Sequence, residues 1–380
     1  MSNYVYLPQT LDSLPLIDED LIYADVSSIC FTNEHNIEIA NKLSPQYNNM
    51  INFYSAVQAE GVYPRFNLND YCYNIKPDYN ITPVIDLSTI HNYDFNSITD
   101  ARSIELKSKL TQFDRIYVFW SGGIDSTVIL AAIFKNWTYT DLQQLTVVCN
   151  ENSINEHAMF YKNYIEGKIE TISSDLFFSN QIQFNSNSVY VTGDCGDSII
   201  CYPNIEKFNN FFPNIFYKKY KEHSKEIIKF FGNDGLAYYS YKRIIDSLKK
   251  NNLNFETVFD FLWWIDFNWA YSSNVYSTLW SYCLLPQDIN PREFMLNNSI
   301  DWFNDIKYQH WAISSVGTAQ RIQNNIQLSK YAYKKYIYDF DKDLNYFLYK
   351  TKIGSIPLSR SVHHGKKVVA IDKDWTLYYR

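Results

Sequence analysis

The sequence predicts an α/β protein built on a doubly wound parallel sheet with a helical C-terminal extension. Three observations carry that expectation. Ile116-Tyr-Val-Phe-Trp120 is apolar or aromatic throughout, without alternation, the pattern of a strand covered on both faces. Similar short runs recur at Leu145–Cys149, Ile169–Ile172 and Val189–Thr192, separated by stretches that suit helices. The runs ending at Trp120 and Thr192 pass directly into glycine, and ligands of such sheets sit beyond the carboxyl ends of the strands.

Taken in order, residues 1–115 are irregular, aromatic and punctuated by proline, with strand-like pieces such as Thr82–Leu87. A helix is expected from Asp100 to Gln112, with Ile104, Leu106 and Leu110 as its apolar contacts. Ser121-Gly-Gly-Ile-Asp-Ser126 then turns the first strand into an apolar helix from Thr127 to Phe134. A helix is expected over Asn155–Ile165, after the second strand. From about 205 to 345 the pattern is helical: Phe216–Phe231, Leu236–Lys250 and a Trp-rich segment from Phe255. The lysines of Lys218–Lys225 suit a solvated helix face in the first place and a nucleic-acid patch as the alternative. Val368–Tyr379 has the pattern of a terminal β-hairpin.

Whole-chain properties narrow the class. A chain of 380 residues accommodates two or three domains, and a net charge of −7 argues against a general nucleic-acid binder. The six cysteines are scattered without paired zinc-site spacing, so a reduced, cytoplasmic setting is expected. The chain opens without a signal-peptide pattern, and no apolar run approaches the ~18 residues of a membrane span. Abundant Tyr, Asn, Lys and Ile are what an AT-rich coding sequence produces, as in a phage (the cytoplasm then being the host's) or a low-GC bacterium.

The chemistry centres on the first glycine loop. Gly122 and Gly123 permit a sharp turn and a close backbone approach, and the following helix aims its N-terminus at the same place. That combination cradles an anion, phosphate foremost. No lysine stands in the loop; Asp125 does, and a carboxylate facing phosphate needs a divalent cation between them, as Mg²⁺ provides. A second turn, Thr192-Gly193-Asp194-Cys195-Gly196-Asp197-Ser198, presents two more carboxylates flanked by glycine.

Ser-Gly-Gly-x-Asp-Ser after a buried strand resembles the signature of the PP-loop ATP pyrophosphatases, a Rossmann-like superfamily of adenine nucleotide alpha-hydrolases. The second turn resembles the Ser-Gly-Glu-Gly-Ser-Asp-Glu element of the asparagine synthetase branch, which includes β-lactam synthetases and lasso-peptide cyclases. The resemblance covers roughly 116–355, with a sheet core over 116–204, and is sharp only at the two glycine motifs. It implies an ATP-dependent ligase that adenylates a carboxylate, releases pyrophosphate and forms an amide with an amine. It places Ser121, Gly122, Gly123, Asp125, Ser126, Gly193 and Gly196 around ATP, and gives Mg²⁺ to Asp125 and Asp197. Val148 and Cys149, at a strand end, would meet adenine through their backbone. Asp194 falls where the family carries an active-site glutamate. Lys330 takes the place of a lysine that stabilises the tetrahedral state, and Lys350 and Lys352 would face phosphates. Leu284-Leu-Pro-Gln-Asp288, followed by Phe294, resembles a segment beside the substrate pocket.

The departures matter too. Cys195 and Ser198 replace a glycine and a glutamate of the family element. The chain begins Met-Ser rather than with a nucleophilic cysteine, and some 115 residues are too short for a full glutaminase domain. The amine is then ammonia, an amine of the small-molecule or peptide substrate itself, or one supplied by a separate amine-delivering protein. Two other readings stay open on sequence alone. One is a PP-loop enzyme modifying tRNA or a purine precursor, with Cys195 or Cys201 carrying sulfur. The other is a catalytically degenerate nucleotide-binding module.

Overall fold

A computed structural model of the chain describes residues 4–6, 30–31, 85–178, 184–200, 212, 214–231, 235–250, 255–271, 291–321, 330–350, 368–372 and 377–379. The strands in chain order are β1 (Tyr4–Tyr6), β2 (Cys30–Phe31), β3 (Arg115–Phe119), β4 (Leu145–Cys149), β5 (Glu170–Ser173), β6 (Ser188–Thr192), β7 (Ser299–Asp301), β8 (Val368–Asp372) and β9 (Leu377–Tyr379). The chain divides into two compact units, one of residues 88–200 and 278–362, the other of residues 1–87, 201–277 and 363–380. These divisions lie elsewhere than the boundaries at 116 and 355 expected from the sequence.

The first unit contains a five-stranded sheet of order β5-β4-β3-β6-β7 in which each neighbouring pair is parallel. The fold class is therefore α/β with a Rossmann-like parallel sheet. β3 lies in the middle because its residues tolerate neighbours on both edges: Ile116 and Val118 are fully buried, and all five residues of β4 and of β6 are buried. β4 and β5 extend the sheet from one edge of β3, and β6 and β7 from the other. The direction of strand addition thus reverses between β3 and β6, and such a switch point opens a crevice at the strands' carboxyl ends. Both glycine motifs emerge there.

β7 is the fifth strand, which the sequence pattern did not predict. It is only three half-buried residues, without an apolar run, and is held by register with Tyr190–Thr192. Asn298 anchors it by donating to the carbonyls of Ser186 (2.8 Å) and Ser188 (2.9 Å).

The helix before β3, α1 (Phe95–Ser108), begins five residues earlier than expected, capped by Asp94 accepting from the Ser97 N–H. Its buried stripe is Phe95, Ile98, Thr99, Ser103 and Leu106, so Ile104 faces solvent at 57% exposure. The hydroxyls hide the stripe from a search for apolar periodicity. Ser103 satisfies itself by donating to the Ala132 carbonyl (3.0 Å) of the helix after the glycine loop, α2 (Ile124–Asn136). The segment after β4 is broken rather than continuous: α3 (Glu151–Glu156) stops at His157, which leaves helical geometry (φ −144°, ψ 63°). Two helices late in the chain, α4 (Tyr331–Asp341) and α5 (Leu344–Tyr349), complete the unit, and Tyr333 of α4 stacks on Phe95 (5.0 Å) and Phe303 (4.7 Å).

The second unit contains an antiparallel sheet of order β2-β1-β8-β9. Its helical part has an aromatic core in which Phe261, Trp263, Trp264 and Phe267 are fully buried. The Trp264 indole and the Asn268 amide both donate to Ser247. Lys218, Lys219, Lys221 and Lys225 are exposed, as a solvated face requires. No described helix is long and apolar enough to cross a membrane.

The shifted stripe of α1 makes a direct prediction. Leu106→Ala, at a 2% exposed position, lowers unfolding free energy by roughly 2–5 kcal/mol in urea titration, whereas Ile104→Ala changes it by no more than about 0.5 kcal/mol. Equal effects would reject this orientation of the helix.

Candidate functional site

The first glycine loop is shaped by contacts that exclude side chains. Gly122 has φ +72°, and a Cβ there would lie 2.2 Å from the Ser153 carbonyl oxygen and 2.7 Å from the Glu156 Cβ. Gly123 caps α2, which begins at Ile124, so Asp125 and Ser126 occupy its first turn. Ser126 closes the loop on itself: its hydroxyl accepts from the Ser121 N–H (3.1 Å) and approaches the Ser121 hydroxyl (3.1 Å), which accepts from the Gly123 N–H (3.2 Å). Ser121, Gly122, Gly123, Asp125 and Ser126 thus form one compact turn at the end of β3.

The second turn leaves β6 beside it. Gly196 has to be glycine for proximity: a Cβ would lie 2.5 Å from Asp125 Oδ1. Gly193 packs less tightly, its Cβ position 3.4 Å from that of Asp125. Asp125 is thereby wedged against the second turn, and Asp197 comes near it. The ammonium of Lys330 joins them, at 2.8 and 2.6 Å from the two Asp125 oxygens and in a salt bridge to Asp197. Lys330 precedes α4 in left-handed conformation (φ 59°), which is uncommon for a residue with a side chain. Three residues separated by 72 and 133 positions in the chain meet in this cluster.

Asp194 is half-buried, and burial raises its pKa, with Asp301, Asp125 and Asp197 pushing the same way. Asp301, at the end of β7, was not singled out by the sequence. Its carboxylate accepts from the Cys195 N–H (2.9 Å) and the Phe303 N–H (3.1 Å), bracing the second turn from behind. Burial raises its pKa as well, outweighing those hydrogen bonds. No sequence signal marked it, because its strand has no pattern of its own.

A second layer supports the first loop. Lys350 pairs with Glu156 (2.6 Å), with side chains only 5% and 1% exposed. The resemblance has Lys350 facing phosphates; in this structure its ammonium is engaged with the carboxylate whose own Cβ crowds Gly122. Tyr346 donates to the Gly122 carbonyl (3.4 Å), and the His157 ring lies flat on it, with centroids 3.7 Å apart. Burial, then the Lys350 ammonium, pushes the His157 pKa down to about 3, so the ring is neutral. Tyr333 does for the second turn what Tyr346 does for the first, donating to the Gly196 carbonyl (3.2 Å).

The remaining sequence candidates separate. Val148 and Cys149 are buried at the end of β4, next to the loop strand, and burial raises the Cys149 thiol to about 11. Cys195 is fully buried, and Phe294 packs against Phe184 and Tyr190. Lys352, Cys201 and the Leu284–Asp288 segment lie outside the described residues. Among the described residues no group of three or more His, Cys, Asp or Glu is arranged to hold a metal ion. The two-carboxylate set of Asp125 and Asp197 still suits Mg²⁺, which takes one or two carboxylates and completes its shell with phosphate and water. The Lys330 ammonium bridges the two carboxylates. Comparison with protein-family models, curated proteins and solved structures finds no match.

Two predictions follow from the second layer. Glu156→Gln and Lys350→Met each strand a buried charge and cost roughly 3–5 kcal/mol in chemical denaturation, while the double variant recovers a large part of that loss. Additive losses would show that the pair is not coupled. For His157 the native pKa lies below the unfolded value of 6.5, so the unfolded chain binds the proton first as pH falls. Its contribution to stability is present above pH 6.5 and is lost between 6.5 and about 3, by at most about 1.4 kcal/mol per pH unit. Asp341, 3.9 Å from the ring and raised to about 6 by burial, acts with opposite sign. His157→Phe therefore flattens the acid limb of a melting-temperature profile between pH 6 and 4; an unchanged slope rejects the assignment.

Proposed function

We propose that the chain is an ATP-dependent, AMP-forming carbon–nitrogen ligase of the asparagine synthetase-like, PP-loop type. The observation that carries this reading is the convergence of Asp125 and Asp197 on one cation, from turns that leave neighbouring parallel strands at the switch point. A phosphate cradle with no lysine in the loop, yet with two carboxylates beside it, is built for metal-bound polyphosphate rather than for a bare anion.

In this reading the turn from Ser121 to Ser126 and the N-terminus of α2 hold the pyrophosphate portion of ATP. Asp125 and Asp197 would hold Mg²⁺, which supplies charge neutralisation on the phosphates. A substrate carboxylate oxygen attacks the α-phosphorus, the α–β phosphoanhydride bond breaks, and pyrophosphate leaves. An amine then attacks the acyl carbon, the new C–N bond forms, and AMP departs with the carboxylate oxygen. Asp194 is suited to accept the proton from that amine, since a carboxylate with a raised pKa is a better base near neutrality. Lys330 offers a mobile positive charge to the oxyanion and the departing pyrophosphate. Val148 and Cys149 line the adenine side through their backbone. The complete burial of Cys195, with its N–H committed to Asp301, favours this reading over sulfur transfer through that thiol.

The test is release of AMP and pyrophosphate from Mg-ATP by the purified protein, alone and with pooled amino acids or cell extract. Asp125→Asn and Asp197→Asn each lower that release by at least about a hundredfold. ADP and phosphate as products, or full turnover in either variant, overturn the proposal. Tight ATP binding without turnover on any mixture points instead to a nucleotide-binding module.

A further inference from the structure

The site contains a cation of its own, and its placement bears on how metal enters. The Lys330 ammonium lies within 2.8 Å of both Asp125 oxygens and also pairs with Asp197. The trio of two carboxylates and one ammonium carries one net negative charge instead of two. The carboxylate of Asp125 has little freedom to turn away, because Gly196 and Gly193 are packed on its Cβ and oxygens. Lys330 is the adaptable member: four methylenes connect the ammonium to the backbone, so it can leave the carboxylates by side-chain rotation alone. Its own backbone stands in left-handed geometry at the start of α4, where a strained residue persists only if its surroundings hold it there.

We propose that Lys330 is a resident counter-cation of the site, one that a divalent metal must displace, so that metal binds well only together with nucleotide. The inference deepens the ligase reading and rests on it for the identity of the site. The physical argument is competition. A metal entering alone has to break the Lys330 contacts and leaves the ammonium without an anion beside a dication. A metal entering with polyphosphate brings that anion with it: the displaced ammonium transfers to phosphate oxygens, and the same phosphates complete the metal's shell. Metal and nucleotide are then positively coupled, each raising the affinity of the site for the other. The two aspartates are also kept from scavenging metal or repelling each other between turnovers.

The experiment is Mn²⁺ binding to the full-length protein without nucleotide, followed by electron paramagnetic resonance and calorimetry. Lys330→Met, which keeps the length of the stem and loses the charge, binds Mn²⁺ at least about tenfold more tightly than wild type, within the usual span of coupling. Lys330→Arg stays as weak as wild type, and adding Asp125→Asn to Lys330→Met removes the gain. Unchanged affinity in Lys330→Met overturns the proposal, as does a gain that survives Asp125→Asn. Should Lys330→Met fail to fold, Lys330→Gln is read by the same criteria. A wild-type crystal soaked in Mn²⁺ gives an independent readout: metal between Asp125 and Asp197 with the ammonium moved off supports displacement, and metal bound there with the ammonium unmoved refutes it. The two readings fail separately. Pyrophosphate release with unchanged Mn²⁺ affinity leaves the ligase and removes the counter-cation; an Asp125-dependent gain in a protein that forms no pyrophosphate does the reverse.

Discussion

Charge balance between Lys330 and the aspartate pair is the constraint on which the rest of the site depends. Asp125 and Asp197 come from different turns and would repel each other at this separation without a cation. Their proximity is imposed by the sheet. β3 and β6 are hydrogen-bonded neighbours in register from Arg115–Ser188 to Val118–Val191, so the turns that follow them emerge side by side. Parallel pairing brings the carboxylates together, and the ammonium makes that arrangement tolerable.

Close backbone packing is the second constraint, and it explains why glycine stands where it does. Gly122 accommodates the Ser153 carbonyl, and Gly196 accommodates Asp125 itself. Each turn is then fastened by a tyrosine hydroxyl from late in the chain, Tyr346 to the first and Tyr333 to the second. Behind the first turn sits the Glu156–Lys350 pair, sealed from water and flanked by a neutral His157. A buried pair of this kind contributes little net stability, but it is costly to break, and so it defines one geometry for the loop.

A parallel sheet hosts many chemistries, so the fold does not select among them. The functional reading rests on the pair of glycine turns and on what they bring together. Carboxylates stand on both turns where no loop lysine does, and Cys195 between them is fully buried.

What the sequence by itself determined is local. The β3–turn–α2 passage was legible because an unbroken apolar run, two adjacent glycines and a following apolar helix each dictate conformation within a few residues. The parallel α/β class, and Asp125, Asp194 and Asp197 as carboxylates of the two glycine turns, came from the same kind of short-range pattern, whereas Lys330 was implied only by the family resemblance. Tertiary structure decided what those patterns do not encode. β7 is strand by virtue of its neighbour β6, since three half-buried residues have no period to read. Asp301 gained its role only when that strand docked. The buried stripe of α1 used Thr99 and Ser103, whose hydroxyls find carbonyl partners, so apolar periodicity pointed wrongly to Ile104. Glu156 and Lys350 stand 194 positions apart, and whether a lysine meets a carboxylate or a phosphate depends on which lies within reach after folding. Short-range preferences are written into neighbouring residues; the pairing of distant charges is settled by the packing that brings them together.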